Sequence, residues 1–462
     1  MTTLAHHTQH HLRFSGELGA TLRMAAPLAA AQLAQMGIGL TDTVLLGTLG
    51  RDALAAGGLG ASIFFTATAV IQGGIAGIGI LVAHARGAQT PERIAPILRS
   101  GFLLAALAAA PLMLLLWWVE PFLLYIGEPA ELARDAAAYD SILFWATPAT
   151  MWLATQRTYL AAMGYPNLVM AVASGALIIN GFLTYGLIHG VWGLPEMGFR
   201  GSALASTLTL WGMLGVTAIS IHLVPMLRLH RLRGPIEWQV VRELFHLGWP
   251  IAATWGVEII LFMVAALMMG MMGNTAMAAH QVTISIASAT FMIPLACAQT
   301  ANVRVSYFMG ANEPVASRQA ALAAFLIGVG FMTLAATALF LIPRQITLLF
   351  NLNPASPPDA EVIALVVQLL TICAFFQVFD GAQTIAAGAL RGYKDTRIPM
   401  MLATLCYWGI GFPTAWTLGF PLAYGPTGIW WGLALGLAMA AVLLGTRFHF
   451  LSRRAAEITA RP

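Results

Sequence analysis

The sequence predicts an all-α integral membrane protein, with twelve transmembrane helices in two parallel six-helix repeats around a central cleft. Three observations predict it. Of the 462 residues, 59% are hydrophobic and only 9% are charged, whereas soluble domains carry roughly 25% charged residues. The apolar runs are continuous over about 20 residues, the length of a helical span, and do not alternate as barrel strands do. The chain also resembles itself after a shift of 223 residues. The same composition excludes a soluble enzyme, whose surface would be uncharged and adhesive, and a disordered chain. The net charge of +4 does not indicate a nucleic-acid partner, because the basic residues fall between apolar runs, where they report topology.

In chain order, a polar stretch from Thr2 to Glu17 comes first. It has no basic segment followed by a cleavage site, so the first apolar run is expected to be retained and not removed as a signal peptide. A cytoplasmic tail (1–23) is followed by a first lobe (24–224) with spans at 24–47, 55–83, 100–119, 138–162, 168–190 and 200–224. Charged or turn-rich breaks bound each of them, such as Arg51, Arg99 and Glu120. The stretch 225–246, containing Arg228, Arg231, Arg233 and Arg242, links it to a second lobe (247–446). Its spans are 247–272, 277–303, 319–342, 362–389, 398–420 and 426–446, and a cytoplasmic tail (447–462) follows. Of the 23 lysines and arginines, 19 fall on the side of the termini and four (Arg51, Arg134, Arg200, Arg344) on the other. Both termini are therefore expected in the cytoplasm.

The repeat is legible position by position. Pro27 falls on Pro250, Gly47 on Gly270, Gly50 on Gly273, Gly87-Ala88 on Gly310-Ala311 and Pro91 on Pro314. At a slightly different offset, Gly164-Tyr165 matches Gly392-Tyr393. Six spans per repeat give both halves the same orientation, the arrangement expected of an alternating-access transporter. Glycine runs such as Gly73-Gly74…Gly77…Gly79 allow close helix approach, and Pro148, Pro294 and Pro413 interrupt backbone bonding within spans.

Three carboxylates lie inside predicted spans: Asp42, Glu258 and Asp380. A charge near mid-bilayer costs at least ~2.5–3.5 kcal/mol on insertion scales. Such acids either bind a coupling ion, a proton or a cationic substrate, or serve as protonated clasps between helices. Asn180 and Thr184, at i and i+4, share one helix face and could complete a cation site with Asp42, or simply bond a neighbouring helix. His280 is a candidate pH sensor or an interfacial group. Met292 belongs to a methionine cluster in spans seven and eight. Phe375, Phe376, Phe379, Tyr407 and Trp408 either stack on flat substrates or pack. The His6-His7…His10-His11 tail is a weak metal candidate. Cys297, Cys373 and Cys406 have no metal or pairing pattern, and no phosphate-binding loop is present. No lysine or arginine is expected within the apolar core of a span, so the cleft is expected to suit cationic cargo.

Several stretches together resemble the multidrug and toxic compound extrusion (MATE) transporters, closest to the bacterial NorM-type branch. They are Ala278-Ala279-His280-Gln281-Val282 with Phe291-Met292-Ile293-Pro294 and Gly310; Pro27…Gln35…Thr41-Asp42 with Gly47; Pro250 and Glu258; and Phe379-Asp380-Gly381 with Gly388…Arg391-Gly392. The resemblance covers nearly the whole chain. It implies a V-shaped pair of six-helix bundles in the bacterial inner membrane, acting as a monomer that exports cationic or aromatic drugs against entering sodium or protons, with no cofactor. Glu258 and Asp380 match the family's second-lobe cation site. Asp42 with Asn180 matches the first-lobe site, and Tyr139 matches a span-four tyrosine beside it. Thr184 stands where some members carry an acid. The implied substrate contacts are Asp42, Glu258, Asp380, Phe379, Phe376 and Met292. Two other readings stay open. One is a lipid-linked oligosaccharide flippase of the same superfamily, which would need basic residues in the cleft. The other is a membrane-embedded lipid-modifying enzyme, which would need acids or histidines clustered at an interface.

Overall fold

A computed structural model describes residues 14–227, 234–350, 353 and 355–459. The His6, His7, His10 and His11 stretch and the linker residues Arg228, Arg231 and Arg233 lie outside the described residues. Among the described residues the chain is helical with no strand. The long helices are α1 Phe14–Gly47, α2 Arg51–Gly87, α3 Pro91–Trp117 and α4, made of Ala130–Leu143 continued by Ala146–Met163. They continue with α5 Pro166–His189, α6 Phe199–Leu223, α7 Trp238–Met271, α8 Asn274–Gly310 and α9 Pro314–Leu341. The last three are α10 Pro357–Gly392, α11 Arg397–Gly419 and α12 Gly425–Thr459.

Among the described residues, ten of these helices are long and apolar enough to cross a membrane. The two predicted spans that fall short of that measure, 24–47 and 138–162, are the helices α1 and α4. They carry Gln32, Gln35 and Asp42, and Asp140, Gln156 and Arg157, so their low hydropathy comes from polar residues that face other protein. The helices also outrun the predicted spans. α1 starts at Phe14, α7 at Trp238, and α12 continues to Thr459 through the stretch read as a tail. Hydropathy marks only the part of a helix in hydrocarbon, whereas backbone bonding continues into water as long as the residues favour it. Within α11 the residues Leu405–Gly411 form a π-helical stretch ahead of Pro413, whose missing N–H cannot serve a regular helical bond.

The internal repeat is written into the backbone. Gly50 and Gly273 both have φ 107°, Gln89 and Asn312 have φ 55° and 59°, and Gly198 and Gly425 have φ 56° and 61°. Short extra helices, Val119–Tyr125 and Pro343–Thr347, follow α3 and α9. Three hydrophobic clusters form the interior. The one centred on the first half gathers Leu28, Ile78, Leu112 and Tyr159, and it crosses to Leu244 and Ile251 of α7 and Val303 of α8. The second half gathers Phe376, Tyr407 and Trp430 in one cluster and Ile385, Leu390 and Phe448 in another.

The halves meet where α8 packs on α1 and on the last part of α2, and α7 packs on α2. The contact is backbone to backbone. A Cβ on Gly87 would lie 1.9 Å from the Tyr307 carbonyl oxygen, and one on Gly310 would lie 2.1 Å from that of His84, so neither position accepts a side chain. Arg86 places its guanidinium 5.5 Å from the Tyr307 ring, and fully buried Glu17 of α1 pairs with Arg304 of α8 at 2.5 Å. All of these contacts sit at the end carrying the arginine-rich loops. Gly310→Val is therefore expected to hold the two halves apart at that end. Spin labels on Gln89 and Asn312, both exposed, should then report a longer mean separation than in the otherwise unchanged protein. An unchanged separation would contradict the contact.

Candidate cation sites and the central cavity

The first half buries Asp42 of α1 among hydroxyls. Asn180 and Thr184 lie one helical turn apart on α5, as do Ser202 and Ser206 on α6, so each pair presents its polar atoms on one face. The Thr184 hydroxyl donates to Asp42 Oδ1 at 2.8 Å and the Ser206 hydroxyl donates to Oδ2 at 2.6 Å. Asn180 Nδ2 donates to Ser206 Oγ at 3.4 Å, while its Oδ1 has no protein partner. Tyr139 of α4 shares a 3.4 Å hydrogen bond with Ser202. The structure thus gathers Asp42, Asn180 and Thr184, and adds Ser206. An oxygen-lined pocket with one carboxylate suits a hard monovalent cation or a proton.

The second half is organised by an amide. Gln383 of α10 donates through Nε2 to Glu258 Oε1 on α7 at 3.3 Å and to Asp380 Oδ1 at 3.2 Å, and its Oε1 accepts from the Tyr407 hydroxyl of α11 at 2.9 Å. The same Nε2 lies 3.1 Å from the Thr384 hydroxyl oxygen, so its two hydrogens are shared among three acceptors. Asp380 is buried and Glu258 half-buried. Three helices are therefore joined through one side chain that sequence reading did not single out. The available signal was its i, i+3 spacing from Asp380. Ser206 was likewise missed. Asp140 was missed too: it is fully buried beside Tyr139, with neither carboxylate oxygen bonded to protein. It lies near the start of a predicted span, where depth cannot be read from hydropathy.

A cavity of about 450 Å³ lies between the halves, lined by α1, α2, α4 and α5 on one side and α7, α8 and α10 on the other. Its apolar lining includes Met36, Phe65, Trp255 and Met292; its polar lining includes Gln32, Gln35, Gln72, Gln299 and Asn302. It holds two cations, Arg157 and Arg391, and no carboxylate lines it. Arg157 donates to Gln35 Oε1 at 2.6 Å and to Gln32 Oε1 at 3.1 Å.

This corrects the expectation that the arginines stay in the loops. Arg157 and Arg391 stand near the ends of α4 and α10, both of which run toward the arginine-rich end. Helical side chains lean toward the helix N-terminus, so both guanidiniums turn back into the protein. Of the expected substrate contacts, Met292 lines the cavity, whereas Asp42, Glu258, Asp380, Phe376 and Phe379 do not. Phe376 is 1% exposed, packed between Phe262 and Trp430. Phe379 is partly exposed elsewhere. His280 is buried in the second half with its ring 5.7 Å from Trp430 and its Nδ1 unpartnered. Among the described residues no three His, Cys, Asp or Glu side chains converge as a metal site.

The Asp42 network yields a stability prediction. Thr184→Val keeps the shape and removes one hydrogen bond to a buried carboxyl, so it is expected to destabilise the protein by about 1–3 kcal/mol. Thr333→Val, at an exposed hydroxyl bonded only within its own helix, is expected to stay within about 0.5 kcal/mol. Thermal unfolding of the purified variants checks the difference.

The family profile described as MatE matches residues 27–185 and again 250–417, once in each half. A probable multidrug resistance protein NorM of Burkholderia mallei is 46% identical, covering 93% of this chain and 92% of the relative. One from Pseudomonas putida is 37% identical, covering 96% of each. Among solved structures, the eukaryotic MATE transporter AtDTX14 superposes with a TM-score of 0.85 at 22% identity, covering 96% of this chain and 99% of that one. An outward-facing multidrug resistance MATE family transporter of the MOP superfamily superposes with a TM-score of 0.84 at 17% identity, covering 95% and 96%.

Proposed function

The chain belongs to the MatE family, and from that premise we propose a cation-coupled antiporter that exports aromatic and lipophilic cationic compounds across the bacterial inner membrane in exchange for sodium or protons. It is a multi-pass membrane transporter of the multidrug-efflux kind, not an enzyme. One observation carries the coupled reading: a drug-sized cavity lies between two helical halves, each of which buries carboxylates on its own hydrogen-bond network. Ligand pockets of about 300–1,000 Å³ suit drug-sized molecules, and Trp255, Phe65, Met36 and Met292 offer stacking and adaptable apolar surface.

The arginine-rich end is assigned to the cytoplasm. The close contact of the halves there then makes this an outward-facing arrangement. An ion or proton entering from outside binds at Glu258, Asp380 and Gln383, with Asp42, Thr184, Ser206 and Asn180 as the first-half counterpart. Each ligand shifts the balance between outward- and inward-facing states by its differential affinity for them. Drug and ion therefore oppose each other's binding. The chain acts as a single copy in the lipid bilayer. A second reading, a lipid-linked oligosaccharide flippase, draws support from Arg157 and Arg391 in the cavity. The cavity volume and the relatives' multidrug names favour the first.

Ethidium efflux from proteoliposomes tests the reading under an imposed sodium gradient at equal pH, and separately under a pH gradient without sodium. Transport is expected under one gradient and is expected to fall at least tenfold in Glu258→Gln and in Asp380→Asn. Intact coupled transport in both variants would remove the second-half site from the mechanism, and silence under both gradients would favour the flippase.

A further inference from the structure

We propose that Arg391 reports the state of the second-half carboxylates to the central cavity: its charge is offset while Glu258 and Asp380 are ionised and left bare once an ion or proton occupies them. The inference rests on the antiport reading and explains how drug and ion oppose each other although no acid lines the cavity.

The geometry begins with a stripe on α10. Gln383, Ala387 and Arg391 are spaced i, i+4 and i+8, on one helix face. All three line a narrow cleft with Thr254 of α7 and Thr396. Arg391 alone of the three also lines the central cavity. Its side chain leans back along the stripe toward Gln383, the residue that bonds Glu258, Asp380 and Tyr407 together. Glu258 and Arg391 act on each other electrostatically.

Glu258 of α7 and Tyr407 of α11 lie within electrostatic reach of Arg391, and Asp380 is bonded to Gln383 on the same helix. The charged and titratable residues that follow Arg391 in the chain have partners of their own: Tyr393 bonds Ser317, Lys394 pairs with Glu243 and Asp395 with Arg447. Across the cavity, Arg157 of α4 is held by two neutral glutamines, so its charge does not depend on the carboxylates. The polarity of the cavity is therefore set by a constant cation, Arg157, and a conditional one, Arg391. In water-poor surroundings a full charge acts over many ångströms. Neutralising the carboxylates exposes a cargo cation to two uncompensated guanidiniums and drives it out. Ionised carboxylates lower the effective charge and admit it. No contact between drug and acid is needed.

Ethidium affinity of the purified protein, read by fluorescence anisotropy, separates this from direct competition. The titration is run with sodium against choline at fixed pH, and with protons in sodium-free buffer. In the unmodified protein the coupling cation is expected to weaken ethidium about tenfold, within the usual range of coupling between sites. Arg391→Gln should reduce that effect to less than about twofold, while Arg391→Lys, which keeps the charge, should retain most of it. The double-mutant cycle is decisive. Glu258→Gln alone should weaken ethidium, and the same change in the Arg391→Gln background should have no effect. If Glu258→Gln weakens ethidium equally in both backgrounds, the drug senses the acid directly and the relay is wrong while antiport stands. If neither cation alters ethidium affinity in the unmodified protein, both the relay and the antiport reading fall. If Arg391→Gln does not fold, Arg391→Met, which keeps the bulk without the charge, takes its place in the same cycle: disappearance of the Glu258→Gln effect supports the relay and its persistence overturns it.

Discussion

A carboxyl group placed in hydrocarbon is costly unless neighbouring helices supply polar partners, and this constraint shapes the networks around Asp42 in one half and Gln383 in the other. No water is at hand to compensate for a missing partner. The first half answers with hydroxyls, from Thr184 and Ser206, aimed at the two oxygens of Asp42. The second half answers with one amide, Gln383, shared by Glu258 and Asp380 and anchored by Tyr407. In each case three helices are tied together, α1, α5 and α6 in one and α7, α10 and α11 in the other. The polar residues around each acid cluster thus also tie the helices of the bundle together.

The duplicated halves share a backbone plan but not a chemistry. Left-handed residues recur at matching turns, and the short helices after α3 and α9 correspond. Yet one site holds a single carboxylate among neutral oxygens and the other holds two carboxylates around an amide. The second cluster thus concentrates two acids around one amide, where the first sets one acid among hydroxyls. Asp140 adds a second buried acid to the first half, with neither oxygen bonded to protein.

The acid clusters and the cavity occupy separate compartments. The acids lie within the bundles, whereas the cavity lies between them and presents amides, aromatic rings, methionines and two guanidiniums. Aromatic rings and methionines offer soft apolar contact that tolerates many shapes, and the charged residues among the lining are Arg157 and Arg391. Under the proposed antiport, a signal between the two compartments has to pass through protein. The stripe from Gln383 to Arg391 on α10 is a short physical path between the two compartments.

The amino-acid sequence by itself determined that the chain is helical and membrane-embedded, that it is built from two parallel halves, and that Asp42, Glu258 and Asp380 sit inside helices. It also paired Asn180 with Thr184 by helical spacing. Each of these follows from hydropathy or period, which are local properties of the chain. Tertiary structure decided what local properties cannot encode. Ser206 and Gln383 matter because of which helix lies opposite them, not because of their neighbours in sequence. Phe376 and His280 proved to be core residues, because an apolar helix has several buried faces and only packing says which one borders a cavity. Arg157 and Arg391 looked like loop charges, because counting residues between spans gives the height of a Cα along the membrane but not the direction of a long side chain. Their lean toward the helix N-terminus, on helices that run toward the arginine-rich end, carries both guanidiniums back into the protein.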